Sequence, residues 1–176
     1  MKNYLAGIVL GGTMFGFGAV SAAPSPFGLE IGASCEAVGQ YEAHPQGVSP
    51  ITGGNVYEIE GGQINFEDLQ SVTVVCDEQQ NIAAIIALLQ KRFGGATFDR
   101  LVGMLRDEYK IIGINDAHVG DQDARFKSGD VEILVEEPHM SRTTSLIYKT
   151  KDFSEAFSQH QQQQQRQQQE REVDQL

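Results

Sequence analysis

The sequence predicts an α+β fold, in which an antiparallel sheet carries helices on one of its faces. Apolar and polar residues alternate in several short segments separated by turn residues, whereas clear helical spacing occurs in only one long segment. The predicted strands also follow one another with few helices between them. This order favours antiparallel pairing over the parallel sheet of an α/β protein.

Residues 1–22 have the features of a secretory signal peptide. Lys2 precedes an uncharged run, and Val20 and Ala22 are the small residues expected before a cleavage site. An uncleaved membrane anchor is the alternative, but the glycines of the run make it a weak span. We therefore expect a periplasmic or secreted protein without stable membrane insertion after cleavage. Residues 23–157 are then long enough for one compact domain.

Three hypotheses account for the first of the two cysteines, Cys35. It lies too far beyond the apolar run for a lipid anchor. A nucleophilic thiol at a helix start, with His44 as its base, is the second hypothesis. The third is a disulfide with Cys76, which an oxidising compartment favours. We predict the disulfide, which closes a loop of about 40 residues and contributes about 4 kcal/mol through chain entropy.

The chain is strongly acidic, with 13 Lys and Arg, 24 Asp and Glu and a formal net charge of -11. Removing residues 1–22 takes away Lys2 and no acid, which leaves 12 basic against 24 acidic residues and a net charge of -12. Such a charge argues against nucleic acid and anionic membranes as partners. A basic protein or a divalent cation is the partner that the charge favours.

In the first half, the pattern predicts a short helix followed by strands. Residues 29–31 alternate like a short strand, and Ser34 can cap a helix over 33–39. Residues 42–55 are rich in Pro and Gly, which predicts a loop. The segment from Ile82 fits helical spacing too, but its β-branched residues directly after a turn favour a strand. Strands are therefore predicted at residues 56–60, 71–76 and 82–88, with a turn at 77–81.

The second half contains the strongest helical signal. Apolar residues from Phe98 to Tyr109 form one stripe, which predicts a helix over 98–110 with Thr97 as its cap and Gly113 as its stop. After a polar loop, strands are predicted at residues 130–136 and 145–149. One helix followed by antiparallel strands thus occurs in both halves, as expected for a tandem duplication.

A terminal helix is predicted to start at Asp152. Asp152 and Glu155 have capping-box spacing, and Phe153 can contact Phe157 one turn later. Residues 158–176 are rich in glutamine and have no apolar stripe. They are expected to form an exposed helix, a partner-dependent coil or a disordered tail.

Two groups of residues carry the chemistry of metal ligands. One group lies in the predicted polar loop and consists of Asp116, His118, Asp121, Asp123 and Asp130. The other consists of Glu136, Glu137 and His139. Neither has the spacing of a known site, and known nucleophile, zinc and phosphate-loop motifs do not occur. We therefore predict no catalytic, cofactor-binding or metal-binding residues.

The stretch "EIGASCEAV" combines a strand, a glycine, a small polar cap and a short helix. It resembles the opening of small exported α+β proteins of the outer-membrane assembly lipoprotein and β-lactamase-inhibitor type. The chain lacks the lipid-anchoring cysteine of the assembly lipoproteins. The resemblance implies helices packed on antiparallel strands and a binding role on another envelope or exported protein, with no active-site residue to carry over.

The function that these observations favour is that of an exported, non-enzymatic binding module, either inhibitor-like or part of an envelope complex. Loops on a rigid sheet commonly make such contacts, so the loops at 42–55 and 137–143 are the predicted binding surfaces for a basic partner. An assembly protein acting through its glutamine-rich helix is one alternative. A thiol-dependent or metal-dependent hydrolase is the other.

Overall fold

The computed structural model describes residues 23–117 and 120–173. Its strands are β1 (Ala43–Val48), β2 (Gly53–Glu60), β3 (Leu69–Asp77), β4 (Ile82–Gln90), β5 (Lys110–Asn115), β6 (Gln122–Ser128), β7 (Val131–Glu137) and β8 (Thr143–Thr150). All eight form one antiparallel sheet in the order β1-β2-β3-β4-β8-β7-β6-β5. Its α-helices are α1 (Ala96–Arg106) and α2 (Lys151–Val173). The α+β class is confirmed, and the signal peptide predicted at 1–22 lies outside the described residues.

The main core lies between the sheet and α1. Val74 of β3 and Ile85 of β4 are fully buried there, in one cluster with Phe98, Leu101 and Val102 of α1. Because alternate residues of a strand point to the same face, these side chains define the inner face of the sheet. The apolar stripe predicted for α1 is buried, and α1 contacts β6, β7 and β8.

Helix α2 meets the sheet through its first turn. Phe153 is buried in a second cluster with Val75, Ala83 and Ala84. Val75 pairs with Ala84 and alternates with the inner-face residues, so this contact lies on the outer face. The remainder of α2 is mostly exposed as far as Glu172. Within the described part of the chain, no helix has the length and apolar character needed to cross a bilayer.

The two halves of the sheet share one continuous row of paired residues. One row of paired residues crosses the sheet from edge to edge: Pro45, Tyr57, Val74, Ile85, Tyr148, Ile133, Phe126 and Ile111. At its two ends, Pro45 and Ile111 each precede a β-bulge in an edge strand. A two-fold axis through the central pair, Ile85 and Tyr148, therefore relates the strand order and the edge-strand bulges of the two halves, although β2–β3 and β3–β4 contain further register shifts that β6–β7 and β7–β8 lack.

The strands predicted in the middle of the sheet are confirmed. The segments 56–60, 71–76 and 82–88 lie in β2, β3 and β4, and 130–136 and 145–149 lie almost entirely in β7 and β8. The segment from Ile82 is a strand because it is paired on both sides, by β3 and by β8. Its inner-face residues, such as Ile85, are buried, and Ile86 on the outer face is half-buried.

The predicted loops are wrong in two places. Residues 42–55 include edge strand β1 and the start of β2, joined by the turn 49–52. The predicted polar loop before residue 130 contains β6, and edge strand β5 lies between the predicted helix and that loop. Conversely, Leu29 and Ile31 are buried but do not form a strand. Edge strands keep one side open to water, so their sequences need little of the apolar alternation on which strand prediction depends.

Both ends of α1 differ from the prediction. Its N-cap is Gly95, and Thr97 lies inside the helix, where its hydroxyl donates to the carbonyl of Gln90 at 3.1 Å. The helix ends at Arg106, and residues 110–113 belong to β5. Tyr109 still packs against the core. The helical spacing therefore marked core positions correctly, while pairing with β6 decided where the helix stops.

The start of α2 is predicted within one residue. The helix begins at Lys151, and the Oγ1 of Thr150, rather than Asp152, accepts the amide hydrogen bond of Phe153 at 3.1 Å. The predicted contact between Phe153 and Phe157 is confirmed, with stacked rings whose centroids lie 6.2 Å apart. Of the states expected for the glutamine-rich segment, the structure has the helix, which runs to Val173 and is mostly exposed as far as Glu172.

The predicted disulfide is confirmed. Cys35 and Cys76 are bonded across 41 residues, with Cα atoms 6.3 Å apart. The short 3-10 helix that begins at Cys35 has the predicted cap, since Ser34 Oγ accepts from the amide of Glu36 at 3.2 Å. Because both sulfurs are bonded, Cys35 has no thiol. The hypothesis of a Cys35 nucleophile with His44 as its base is therefore wrong.

Candidate functional site: a cleft at one end of the sheet

A cleft of about 620 Å³ opens at one end of the sheet. It lies between three connections: the β4–α1 connection, the β5–β6 loop and the β7–β8 loop at residues 138–142. The last of these coincides with one of the two loops predicted to bind a partner. The other, at 42–55, ends in a turn at the opposite end of the sheet, beside the β3–β4 turn.

A buried carboxylate lies at the base of the cleft. Glu137 ends β7 on the inner face and is only 1% exposed. Its Oε2 accepts a hydrogen bond of 2.6 Å from the hydroxyl of Thr144, and its Oε1 lies 3.5 Å from Nζ of Lys91. A buried carboxylate needs such partners, since an unpaired charge away from water is very costly. Glu137 is therefore bound into the framework of the protein.

Lys91 joins the β4–α1 connection to the β7–β8 loop. Its Nζ donates to the carbonyls of Pro138 at 3.1 Å and His139 at 3.4 Å, in addition to its contact with Glu137. Its backbone amide donates to the carbonyl of Arg142 at 2.9 Å. One residue thus contacts both ends of the β7–β8 loop. The two connections form one connected wall of the cleft.

The β4–α1 connection is held in place by contacts of Arg92 with α1 and with the residues before β3. The amide of Arg92 donates to the Thr97 hydroxyl at 3.0 Å, and the Arg92 guanidinium binds Glu67 and Asp68, each at 2.8 Å. These carboxylates raise the pKa of the Arg92 guanidinium. Gly94, with a φ of 72°, then turns the chain in a left-handed conformation that few other residues adopt.

Two large apolar side chains lie in water beside the cleft. Phe93, within the β4–α1 connection, is fully exposed, and Met140, in the middle of the β7–β8 loop, is 91% exposed. Exposed aliphatic residues are common on protein surfaces, but a wholly exposed phenylalanine on a fixed backbone is unusual. We call Phe93, Met140 and the cleft between their loops the Phe93–Met140 surface.

The β5–β6 loop is fastened to the same surface. The amide of His139 donates to Oδ1 of Asp121 at 2.7 Å, and Nδ2 of Asn115 donates to the carbonyl of Asp121 at 2.9 Å. Asp121 therefore joins the β5–β6 loop to the β7–β8 loop. Sequence patterns could not distinguish this role from metal ligation, because both use an exposed aspartate in a polar loop.

The two groups of candidate metal ligands meet where Asp123 of β6 pairs with Glu136 of β7, but in the part of the chain that the structure describes they do not assemble a metal site. Asp123 lies in β6 and binds Arg125 at 3.7 Å, while Asp130 lies in the β6–β7 turn at the other end of the sheet. Glu137 is buried and His139 is exposed. His118 lies outside the described residues. Among the described residues, no three His, Cys, Asp or Glu side chains are grouped as a metal site requires.

Comparisons with protein-family models, curated proteins and solved structures found no match to this chain. The resemblance to exported binding proteins therefore stays a prediction. The properties of the site rest on the geometry of the Phe93–Met140 surface. Its exposed anchors could not be predicted from the sequence, because apolar residues next to glycine or in a loop are as compatible with core packing as with exposure.

Proposed function

We propose that this chain is an exported, non-enzymatic protein-binding module that binds its partner at the Phe93–Met140 surface. The observation that supports this proposal is the pair of exposed apolar side chains on loops that Lys91 and Glu137 fasten together. Aromatic residues and methionine are enriched at the centres of protein interfaces.

The energetic argument rests on preorganisation. Burying one large apolar side chain contributes about 1.5 to 3 kcal/mol. A binding protein loses part of that gain when it must first order its loops. Here Phe93 and Met140 are carried by connections with ion pairs and hydrogen bonds already formed. Most of the gain from burying them is therefore available for affinity.

The charge distribution supports a basic partner. Residues 23–90 contain nine Asp and Glu and not one Lys or Arg, whereas the residues from Lys91 onward contain 12 Lys and Arg against 15 Asp and Glu. The half of the sheet formed by β1–β4 is therefore acidic and borders the Phe93–Met140 surface. Such a field speeds the approach of a basic protein and orients it, while the apolar anchors supply most of the affinity.

Export is the setting in which this protein makes physical sense. A disulfide persists in an oxidising compartment, and small exported domains use one to supplement a limited core. The Cys35–Cys76 bond is consistent with the periplasmic or secreted location predicted from residues 1–22. Edman sequencing of protein secreted by the native host should begin at Ala23, and a retained Met1 would contradict the proposal.

Substitution of the two anchors tests the binding surface. Purified protein is immobilised, and partners are captured from an envelope extract at low and high salt and identified by mass spectrometry. We expect Phe93→Ser and Met140→Ser each to raise the dissociation constant of the captured partner by about thirtyfold, equivalent to about 2 kcal/mol. Met104→Ser, at a half-exposed methionine of α1 outside the cleft, is the matched control. A partner retained by the Phe93→Ser/Met140→Ser double variant, or one indifferent to salt, would contradict the proposal.

A second function is favoured by the length of α2. It continues as one helix to Val173, about 16 residues past the contact of Phe157 with Phe153, and is mostly exposed as far as Glu172. A helix that is polar all round can bridge separate domains through solvent, as an assembly protein requires. Deletion of residues 158–176 discriminates between the two functions, because it should abolish oligomerisation by a tail-driven scaffold and leave a partner of the Phe93–Met140 surface bound.

We also propose that the two halves are a tandem duplication, in which the helix that precedes each set of four strands packs on the inner face of the sheet. The support is the shared order of a helix and four antiparallel strands, together with bulges at equivalent positions of β1 and β5. Under this symmetry, the β7–β8 loop with Met140 corresponds to the β3–β4 turn. An alignment of relatives that aligned the halves with a different register would contradict it.

A further inference from the structure

A second cavity, of about 250 Å³, lies between α1, β8 and two segments of the first half, residues 26–27 and 64–66. Asn65 and Met104 line it and are exposed, which places its mouth on their side. Its other walls are mostly apolar side chains, among them Phe27, Phe66, Leu101, Leu105 and Leu146. Folded proteins close-pack such side chains, because an apolar void forfeits contacts and stability. A void of this size among them is best explained by a ligand.

The aromatic walls of the cavity are held by contacts with other elements. Phe27 has a left-handed backbone, with a φ of 58°, and its carbonyl accepts a hydrogen bond from the hydroxyl of Tyr41. The ring of Phe27 meets the ring of Phe66 edge-on, with the centroids 5.4 Å apart. The guanidinium of Arg100 covers the Phe66 ring at 5.4 Å from its centroid. Because both rings are already in place, a ligand does not have to order them when it binds.

One polar group borders the cavity without a partner. Tyr148 lines the cavity and is only 6% exposed, yet among the described residues its hydroxyl takes part in no hydrogen bond. Burial raises the pKa of Tyr148, and Tyr109 and Glu108 add to the shift, so the hydroxyl stays protonated at neutral pH. It can therefore both donate and accept. Buried hydroxyls normally have a partner, and a polar group on a ligand would supply one.

The size and the lining of the cavity define the class of ligand. An apolar cavity of about 150 Å³ holds benzene, so one of about 250 Å³ accommodates a substituted ring or two fused rings. Aromatic walls favour an aromatic ligand, because rings attract one another edge to face. Among the described residues, no charged side chain lines the cavity. An ionised ligand would therefore lose its hydration without gaining a counter-charge.

The charged side chains beside the cavity also favour a neutral ligand. Arg100 is ion-paired with Glu67 and Asp68 and has no need of an anion. Glu108 is close enough to act on Tyr148, which disfavours an anionic ligand. Glu108 is exposed and does not line the cavity, so a bound cation would have no direct contact with it.

We propose that this cavity binds a small neutral aromatic compound of one or two rings, whose polar group forms a hydrogen bond with the hydroxyl of Tyr148. The cavity has no lining residue in common with the cleft of the Phe93–Met140 surface. The ligand site is therefore independent of the proposed partner-binding function, and either can fail while the other stands.

Three probes of equal size test the class of ligand on the purified protein. They are p-cresol, p-xylene and 4-methylcyclohexanol, and NMR titration measures the dissociation constant of each. p-Cresol should bind with a dissociation constant of about 1 mM or below, about fivefold more tightly than 4-methylcyclohexanol. The methyl resonances of Leu101 and Leu105 should shift, and that of Met140 should not. Absence of saturable p-cresol binding, equal affinity for the saturated alcohol, or shifts at Met140 alone would overturn the proposal.

Substitutions test the hydrogen bond and the position of the site. Tyr148→Phe should raise the dissociation constant of p-cresol about fivefold and leave that of p-xylene unchanged. Tyr109→Phe is the matched control, because Tyr109 contacts the Tyr148 ring and does not line the cavity. Met104→Trp should fill the mouth and weaken all three probes at least tenfold.

Ile112→Trp, at a similarly exposed residue outside the cavity, controls for the added indole and should leave binding unchanged. Circular dichroism establishes that each variant is folded. Equal losses of p-cresol and p-xylene affinity in Tyr148→Phe, or undiminished binding by Met104→Trp, would overturn the proposal.

Discussion

Removing the disulfide between Cys35 and Cys76 should lower the free energy of unfolding by about 4 kcal/mol. The bond closes a loop of 41 residues, and the chain-entropy relation gives an entropy change of about 13 cal/mol/K for that length, or about 4 kcal/mol at 25 °C. For a domain of this size, 1 kcal/mol corresponds to about 2 to 4 °C, so the midpoint should fall by about 8 to 16 °C.

The assay is urea unfolding of the Cys35→Ala/Cys76→Ala variant, with far-UV circular dichroism as the probe of the transition. Because the bond acts mainly on the unfolded chain, its loss should also expand the unfolded state and increase the denaturant slope. Wild-type protein in reductant provides the control, since it should converge on the stability of the variant, which reductant should not affect. A loss of less than about 1 kcal/mol would refute the view that the loop constraint stabilises this fold.

Two further perturbations probe the buried polar groups. Glu137→Ala should lower the free energy of unfolding in urea by about 3 kcal/mol, because it leaves Lys91 without its buried carboxylate. Glu132→Ala, at a partly exposed ion pair on the same strand, is the control and should lower it by less than about 1 kcal/mol. Equal losses would show that burial is not the reason. Burial raises the pKa of Tyr148, and the nearby Tyr109 adds to the shift. The unfolded chain therefore releases this proton first, so stability should be constant below about pH 10 and fall above it. Tyr148→Phe should reduce this loss of stability at high pH. If the thermal-unfolding midpoint of the variant depends on pH between about pH 9 and pH 11 as that of the wild type does, the prediction is contradicted.

Much of the fold could be read from local pattern. The apolar alternation around Val74 and the β-branched run from Ile82 identify central strands, because both neighbours and both faces of those strands are covered. The stripe from Phe98 marks a helix for the same reason, since its apolar face has to be buried. Two cysteines in a chain with the features of an exported protein were sufficient to predict the Cys35–Cys76 bond.

The candidate site was only partly predictable. The loop at 137–143 was identified from its position between two strands, and it does border the cleft. The β4–α1 connection was missed. Gly94 and Gly95 indicate a turn, but no sequence signal states that Phe93 before them faces water instead of the core. Glu137 was considered as a metal ligand, and its burial against Lys91 depends on a residue 46 positions earlier in the chain.

By itself, the sequence determined the class of the fold, its central strands, the helices α1 and α2 and the disulfide, because each of these depends on periodicity or on the presence of a reactive pair. Only the tertiary structure decided that β1 and β5 are strands, where α1 ends and which side chains remain exposed. An edge strand such as β5 exists because β6 supplies its hydrogen-bond partners. Whether a side chain is exposed depends on which other segments of the chain pack against it. Both are properties of neighbours that lie far apart in the chain.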